Sequence, residues 1–177
     1  MGRGNIFLVG MMGAGKTTVG RALAHRMQMR FVDTDKVLVE RTGVPVATVF
    51  EIEGEEGFRR RESSILAETA AGDDCIVATG GGVVLSEDNR RVMRENGTVI
   101  YLRARVADLW ERTRHDTTRP LLATPDPRAT LTRLLEERDA LYREAAHLVV
   151  ETGVQSASTL AGRVMAALRE RAAGLAR

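Results

Sequence analysis

The sequence predicts an α/β protein in which a parallel β-sheet lies between two layers of helices. Three observations support this three-layer α/β/α class. Short apolar runs alternate with helical segments along the 177 residues. These runs are apolar at successive positions, which is typical of strands buried on both faces. A glycine-rich loop joins the first run to the first helix, so a strand–loop–helix unit begins the chain. The length suits a single domain, residues 1–177.

The individual elements follow from the same patterns, taken in chain order. We expect five strands, at residues 5–10, 31–35, 75–79, 98–102 and 148–151. We expect helices at residues 15–28, 36–42, 46–53, 57–71, 86–96, 105–113 and 128–145. A final helix is expected to begin after a capping serine, Ser156 or Ser158. Gly54 and Gly57 are expected to divide the third and fourth helices.

Residues 113–127 interrupt this alternation. The stretch contains Pro120, Pro125 and Pro127, and no apolar period continues through it. A loop of about fifteen residues is longer than compact domains usually contain, and active-site lids are a common reason for one. We therefore predict a mobile lid that closes over bound substrates.

The composition indicates in which compartment the protein works and which classes of partner are not expected. Cys75 is the only cysteine, which excludes an internal disulfide framework and indicates a reducing compartment. No apolar run reaches the length of a membrane span, and no signal peptide is evident, so we expect a cytoplasmic protein without a membrane partner. The net charge is only +2 and aromatic residues make up 4%, which does not favour a nucleic-acid surface.

The loop at residues 10–17, GMMGAGKT, matches the phosphate-binding pattern GxxxxGK[ST]. Glycines allow successive backbone N–H groups to point at an anion, and the following helix N-terminus adds partial positive charge. Lys16 can reach the β- and γ-phosphates of a nucleotide, and the Thr17 hydroxyl can ligate Mg²⁺. The strand–loop–helix context makes this motif the strongest functional signal in the chain.

Asp33 and Asp35 come at the end of the predicted second strand. The 75–79 strand ends without a carboxylate, so this pair is the natural substitute for the aspartate that holds Mg²⁺ in many enzymes with this loop. Residues i and i+2 of a strand point to one side, and parallel strand ends meet at one crevice. One carboxylate could hold Mg²⁺ through water and the other could orient or deprotonate an acceptor hydroxyl. Alternatively, the pair only caps the next helix.

Three further features are candidates for substrate contacts. Gly80, Gly81 and Gly82 follow a buried strand, where glycines usually permit close approach of backbone to a ligand, although a tight turn is an alternative. Arg59 and Glu62 share a helix face, so the glutamate can hold the arginine for a carboxylate, although a solvated charged face would look the same. Arg119 in the predicted lid could bring a cation over the phosphates when the lid closes, whereas Arg138 on the next helix would by itself be interpreted as a surface residue.

Taken together and in order, these motifs resemble the shikimate kinases. The matching elements are GxxGxGKT (10–17), DTD (33–35), FRxxE (58–62), GGG (80–82), RPLL (119–122) and RxxLY (138–142). The resemblance covers about residues 5–152. It implies phosphorylation of the 3-hydroxyl of shikimate by ATP, in the route to chorismate and aromatic amino acids. It also implies a nucleoside-monophosphate-kinase-like fold with a five-stranded parallel sheet in the order 2-3-1-4-5.

The resemblance further implies roles for the residues that meet shikimate. Asp35 would contact the ring hydroxyls and stand nearest the reacting one. Arg59 and Arg138 would clamp the carboxylate, with the glycines of 80–82 assisting. Glu62 would hold Arg59 in place. The substrate-binding region would therefore span about residues 33–62, and the protein is expected to act as a monomer.

The nucleotide side is implied in the same way. Lys16, Asp35 and Arg119 would be catalytic, and Thr17 would ligate Mg²⁺ with Asp33 behind it through water. Family members place arginines near the last loop, where this chain has residues 153–156, GVQS. Arg112 matches the arginine that stacks on adenine in this family. The residues expected to bind ATP are Gly13, Ala14, Gly15, Lys16, Thr17, Thr18, Arg112, Arg119 and Gln155.

Two other functions share part of this signature. Another small-molecule kinase, such as a gluconate kinase, would share the loop and the fold but not the set of Asp35, Arg59, Gly81 and Arg138. A non-catalytic switch would bind ATP without turnover, which the intact Lys16, Thr17 and Asp35 argue against. A turnover assay separates all three.

Overall fold

A computed structural model describes residues 4–175. Within these residues one parallel sheet has the strand order β2-β3-β1-β4-β5, which confirms the predicted sheet and its order. β1 lies at the centre and pairs with β3 on one side and β4 on the other. The five strands are β1 (Asn5–Val9), β2 (Arg30–Asp33), β3 (Cys75–Ala78), β4 (Gly97–Arg103) and β5 (Leu148–Glu151).

Helices flank the sheet on both faces. α1 packs against α7 and β3, whereas α4 packs against α3, α6 and β4. Short 3-10 turns at Val83–Leu85 and Pro120–Leu122 were not expected from the sequence. The helices are α1 (Lys16–Met27), α2 (Thr34–Thr42), α3 (Val46–Ala70), α4 (Glu87–Asn96), α5 (Val106–Thr113), α6 (Pro127–Ala145) and α7 (Ala157–Leu175).

The core confirms that the central strands are buried on both faces. β1 and β3 are buried along their whole lengths, as are residues 99–102 of β4. A second, smaller apolar cluster lies between α2 and α3, formed by Leu38, Val49, Phe58 and Ile65. The region from α2 to the middle of α3 therefore has its own packing beside the main core.

The predicted division between the third and fourth helices is only partly correct. Gly54 does leave the helical conformation, with φ 68° and ψ −179°, but α3 continues past it. Gly57 is helical and buried, so the predicted break at this residue is wrong. Arg61 pairs with Glu53 across the kink at 2.6 Å. The two predicted helices are therefore both present, and a sharp non-helical kink at Gly54 joins them.

Candidate active site

The phosphate-binding loop connects β1 to α1. Gly13 and Gly15 have positive φ values of 79° and 93°, a conformation that favours glycine. The Lys16 ammonium folds back over the loop and donates to the carbonyl oxygens of Gly10, at 2.7 Å, and Met11, at 2.9 Å. Burial is the main reason that the pKa of Lys16 is lowered to about 8. The loop therefore holds a buried amine beside curled backbone, ready for an anion.

Asp33 and Asp35 reach the same site by a different route from the predicted one. β2 ends at Asp33, and Asp35 lies in the first turn of α2 rather than on a strand, so the two-residue strand alternation does not apply. The Asp33 side chain caps α2 by accepting from the backbone N–H of Asp35 at 3.1 Å and of Lys36 at 3.4 Å. Its other oxygen accepts from the Thr17 hydroxyl at 2.7 Å. Asp33 therefore caps α2 and also contacts the phosphate-binding loop through Thr17.

A cavity of about 690 Å³ opens over the loop. The Thr17 hydroxyl and the Asp33 carboxylate face each other here as hard oxygen donors. This donor set fits Mg²⁺, which proteins usually bind through one or two such groups while phosphates and water complete the shell. Of the predicted nucleotide residues, the cavity is lined by Gly13, Gly15, Lys16, Thr17, Thr18, Arg112 and Arg119.

Asp35 is a half-buried carboxylate whose pKa is raised. Burial is the largest cause, and the neighbouring charge of Asp33 adds to it. Three nearby cations, Lys16, Arg119 and Arg59, act in the opposite direction and favour the carboxylate. A carboxyl group in such surroundings can accept a proton more readily than a solvated aspartate.

A second cavity, of about 420 Å³, lies on the other side of Asp35. Three arginines line it: Arg119, which also borders the larger cavity, Arg59 and Arg138. Arg59 donates to Glu62 at 2.8 Å, as the spacing predicted, and Glu62 is only 3% exposed. Arg138 is 2% exposed, and its Nε and Nη1 have no hydrogen-bond partner, nor has Nε of Arg59. Unsatisfied buried guanidinium N–H groups are costly, so they mark a place for an anionic ligand.

The glycines after β3 make room for this pair of side chains. A Cβ at Gly80 would collide with Oε1 of Glu62, and a Cβ at Gly82 would collide with the guanidinium of Arg59. Gly82 has a φ of −97°, so space rather than backbone conformation explains this glycine. The close neighbours of Gly80 and Gly82 are thus protein side chains, and the close approach of this backbone to a ligand stays a prediction.

The two cavities meet at a small set of shared residues. Asp35, Gly81 and Arg119 line both of them, together with apolar side chains of the loop and of the α2–α3 region. A group bound over the phosphate loop and a group bound beside Arg138 would therefore both border Asp35. Of the predicted catalytic residues, Asp35 and Arg119 line both cavities, whereas Lys16 lines only the larger one.

Arg119 begins the 3-10 turn of the predicted lid segment. Its Nε donates to Asp116 at 2.8 Å. The other Asp116 oxygen accepts from the backbone N–H and the hydroxyl of Thr118. Leu122 at the end of the turn is buried in the main core. The segment is thus anchored at Leu122, and Asp116 orients the arginine.

Arg112 and Gln155, both expected near adenine, have different surroundings. Arg112 lines the larger cavity and donates to the carbonyl oxygens of Gly13, at 3.0 Å, and Gly153, at 2.9 Å. Gln155 is not among the described residues that line either cavity. Its amide donates to the carbonyl oxygen of Thr152 at 3.0 Å and so closes its own turn. Ala14 is also outside both linings; it is buried, and its N–H donates within the loop.

Sequence reasoning missed the apolar wall of the smaller cavity. In the sequence, Phe58 fits a helical apolar pattern and Met12 lies inside the phosphate-binding loop; in the structure both line this cavity. A helical apolar period cannot distinguish a side chain that faces the core from one that faces a pocket. The apolar lining consists of Met12, Val39, Pro45, Val46, Phe50, Phe58, Pro120 and Leu121.

Comparisons with known proteins agree with this geometry. A family model described as Shikimate kinase matches residues 12–169. The shikimate kinase of Nitrosospira multiformis is 61% identical over 158 residues, which cover 89% of this chain and 81% of that protein. A solved structure, shikimate kinase from Acinetobacter baumannii in complex with shikimate, superposes with a TM-score of 0.93. It is 42% identical and the match covers 95% of this chain and 94% of that one.

A gluconokinase from Sinorhizobium meliloti 1021 also superposes, with a TM-score of 0.62 and 18% identity. The match covers 98% of this chain and 95% of that one. Similarity at this level shows a shared fold and nothing about the substrate.

Proposed function

The chain belongs to the shikimate kinase family, ATP-dependent phosphotransferases that act on a hydroxyl of shikimate, and we propose that its reaction takes place where the two cavities meet. The carrying observation is that Asp35 and Arg119 line both cavities. One cavity contains the phosphate-binding loop, and the other contains two arginines with unpartnered N–H groups. The Acinetobacter baumannii protein was solved with shikimate, which supports the same acceptor here.

The larger cavity takes ATP with Mg²⁺. Lys16 exchanges its bonds to loop carbonyls for bonds to the β- and γ-phosphates. Thr17, with Asp33 behind it through water, would hold Mg²⁺, and the metal would supply charge neutralisation on the phosphates. Arg112, between the loop and the turn at Gly153, borders the adenine.

The smaller cavity takes shikimate. Its carboxylate accepts hydrogen bonds from Arg59 and Arg138, assisted by the glycines of 80–82, and Glu62 keeps Arg59 oriented. The two guanidinium groups suit a planar carboxylate because they can donate in parallel. The apolar wall suits the carbon face of the ring. The ring hydroxyls then face Asp35.

In the transfer step the 3-hydroxyl oxygen of shikimate attacks the γ-phosphorus of ATP. The bond from that phosphorus to the bridging oxygen breaks, and ADP leaves. Asp35 orients the hydroxyl and takes its proton, to which its raised pKa is suited. Lys16 and Arg119 stabilise the negative charge on the transferring group. Closure of the segment around 113–127 brings Arg119 over the phosphates and excludes water.

We further propose a cytoplasmic monomer. Every residue assigned to the site comes from this one chain, so no second copy is needed to complete it. Cys75 is free and buried. Within residues 4–175, no helix has the length and apolar character needed to span a membrane. Size-exclusion chromatography with light scattering tests the oligomeric state.

The function is tested by ADP release from Mg·ATP with shikimate, gluconate, AMP or no acceptor. We expect turnover with shikimate alone. Arg59→Ala should abolish most of it, whereas Arg60→Ala is the matched control, because Arg60 is exposed and pairs only with Glu56 on the helix surface. Turnover with a different acceptor, or an equal effect of both substitutions, would contradict the assignment.

A further inference from the structure

Two side chains of α6 lie against the backbone of residues 80–82, the glycine loop. Arg138 and Tyr142 are four residues apart, so they share one face of the helix, and both are buried. The Tyr142 hydroxyl donates to the carbonyl oxygen of Gly81. A Cβ added at Gly81 would lie 3.7 Å from Nη1 of Arg138, so the loop backbone passes close to the guanidinium. One helix face therefore positions both an arginine and a loop of the smaller cavity.

The Tyr142 hydroxyl lies near the Arg138 guanidinium, whose positive charge lowers the pKa of the phenol. Burial is the larger effect and raises that pKa to about 12, so the phenol remains protonated and keeps its donor at working pH. Its hydrogen bond to Gly81 tethers the glycine loop to the helix that carries Arg138.

The ring of Tyr142 is supported by a second tyrosine. Its centroid lies 4.9 Å from that of Tyr101 on β4, and the planes are 27° apart. The Tyr101 hydroxyl turns away from the glycine loop and donates to Asp139 at 2.8 Å. Arg143 holds the same carboxylate at 2.7 Å. The two stacked tyrosines therefore differ in what their hydroxyls bind, although both rings are buried.

We propose that Tyr142 is a positioning residue for carboxylate recognition. By tethering Gly81 to the helix that carries Arg138, it sets the distance between the loop amides and the guanidinium that together receive the carboxylate of the acceptor. This inference rests on the proposed function, and it adds a residue that does not itself line the cavity. The hydrogen bond of the Tyr142 hydroxyl ends on Gly81 and not on a residue of the phosphate-binding loop, so we expect nucleotide binding to depend on it much less than acceptor binding does.

The test compares Tyr142→Phe with Tyr101→Phe, since each removes one hydroxyl from the same ring stack. For Tyr142→Phe we expect the KM for shikimate to rise about tenfold, the effect of losing one hydrogen bond to a charged or buried group. The KM for ATP and kcat should stay within twofold of wild type. Tyr101→Phe should leave all three within twofold. The methyl ester of shikimate, which lacks the carboxylate charge, should not discriminate between wild type and Tyr142→Phe.

Binding provides a second measurement that is independent of turnover. Shikimate should raise the melting temperature of Tyr142→Phe less than that of wild type, whereas a non-hydrolysable ATP analogue should raise both equally. A shikimate KM and shift unchanged in Tyr142→Phe would overturn the proposal, as would equal losses in both tyrosine variants. Failure of the wild-type protein to phosphorylate shikimate would instead overturn the proposed function, so the two failures are distinguishable.

Discussion

Gly82→Ala is expected to damage acceptor binding while the fold stays intact. An added Cβ would lie well inside 3.0 Å of the Arg59 guanidinium, a separation that real Cβ atoms essentially never show. To regain an ordinary contact of about 3.5 Å the guanidinium must move by roughly 1 Å. That movement takes Arg59 away from Glu62, which it now contacts at 2.8 Å, and from the place assigned to the carboxylate.

The magnitude follows from two considerations. A misplacement of about 1 Å in a positioning group can cost on the order of 100-fold in rate. A lost hydrogen bond between charged groups costs about 1.5–3 kcal/mol, and about 1.4 kcal/mol is a factor of ten. We therefore expect kcat/KM for shikimate to fall about 100-fold in Gly82→Ala, mostly through KM, while the KM for ATP changes little.

The fold should tolerate the substitution because the displaced group is the end of a flexible side chain. Gly82 has a φ of −97°, which alanine adopts without strain, and such a change can stabilise by about 0.4–1 kcal/mol through the unfolded state. Gly72→Ala is the matched control, since its Cβ would lie 3.6 Å from its nearest neighbours and outside the site. Steady-state kinetics and thermal unfolding of both variants provide the comparison. A folded Gly82→Ala protein with a wild-type KM for shikimate would refute this account of the glycine.

Two further predictions concern groups outside the acceptor pocket. Asp116→Asn should lower kcat about three- to tenfold, because Arg119 loses the carboxylate that orients it; the effect is moderate because the pair is partly exposed. Asp108→Asn is the control, since it breaks an ion pair of the same spacing with Arg105. Equal kcat values in the two variants would argue against an orienting role for Asp116. His147 accepts from the backbone N–H of Val99 through Nδ1, and burial lowers its pKa below the usual 6.5. The folded state therefore disfavours protonation of the His147 imidazole. The stability that the neutral imidazole contributes is present above pH 6.5 and is lost as the pH falls below that value through the lower pKa of the folded state. Urea unfolding at pH 7.5 and 5.5 should show a smaller pH dependence in His147→Gln than in wild type, and an identical dependence would contradict the assignment.

Two predictions made from the sequence were wrong in detail. Asp35 was expected on a strand because the residues before it are apolar, but the capping bonds of Asp33 start α2 earlier. Gly57 was expected to break a helix because glycine is a poor helix former, but this residue is helical and buried. At Asp35 a side-chain contact outweighed the local preference.

Some features of the site residues could be predicted from the sequence and others could not. The bond between Arg59 and Glu62 was predictable because both residues lie on one helix, three positions apart. The burial of Arg138 was not, because that residue alone would be interpreted as a surface arginine. Only the packing of α6 behind the glycine loop turns its guanidinium into the smaller cavity.

By itself, the sequence determined the sheet, the phosphate-binding loop and, through the ordered motifs, the kinase family. These depend on local patterns: apolar periodicity, glycines at curled backbone, and spacing along single helices. Only the tertiary structure decided that Asp35 and Arg119 border two cavities, that the glycines of 80–82 make room for Arg59 and Glu62, and that Tyr142 joins the loop to α6. These relations connect residues distant in the chain, and their distances depend on how the helices pack against the sheet.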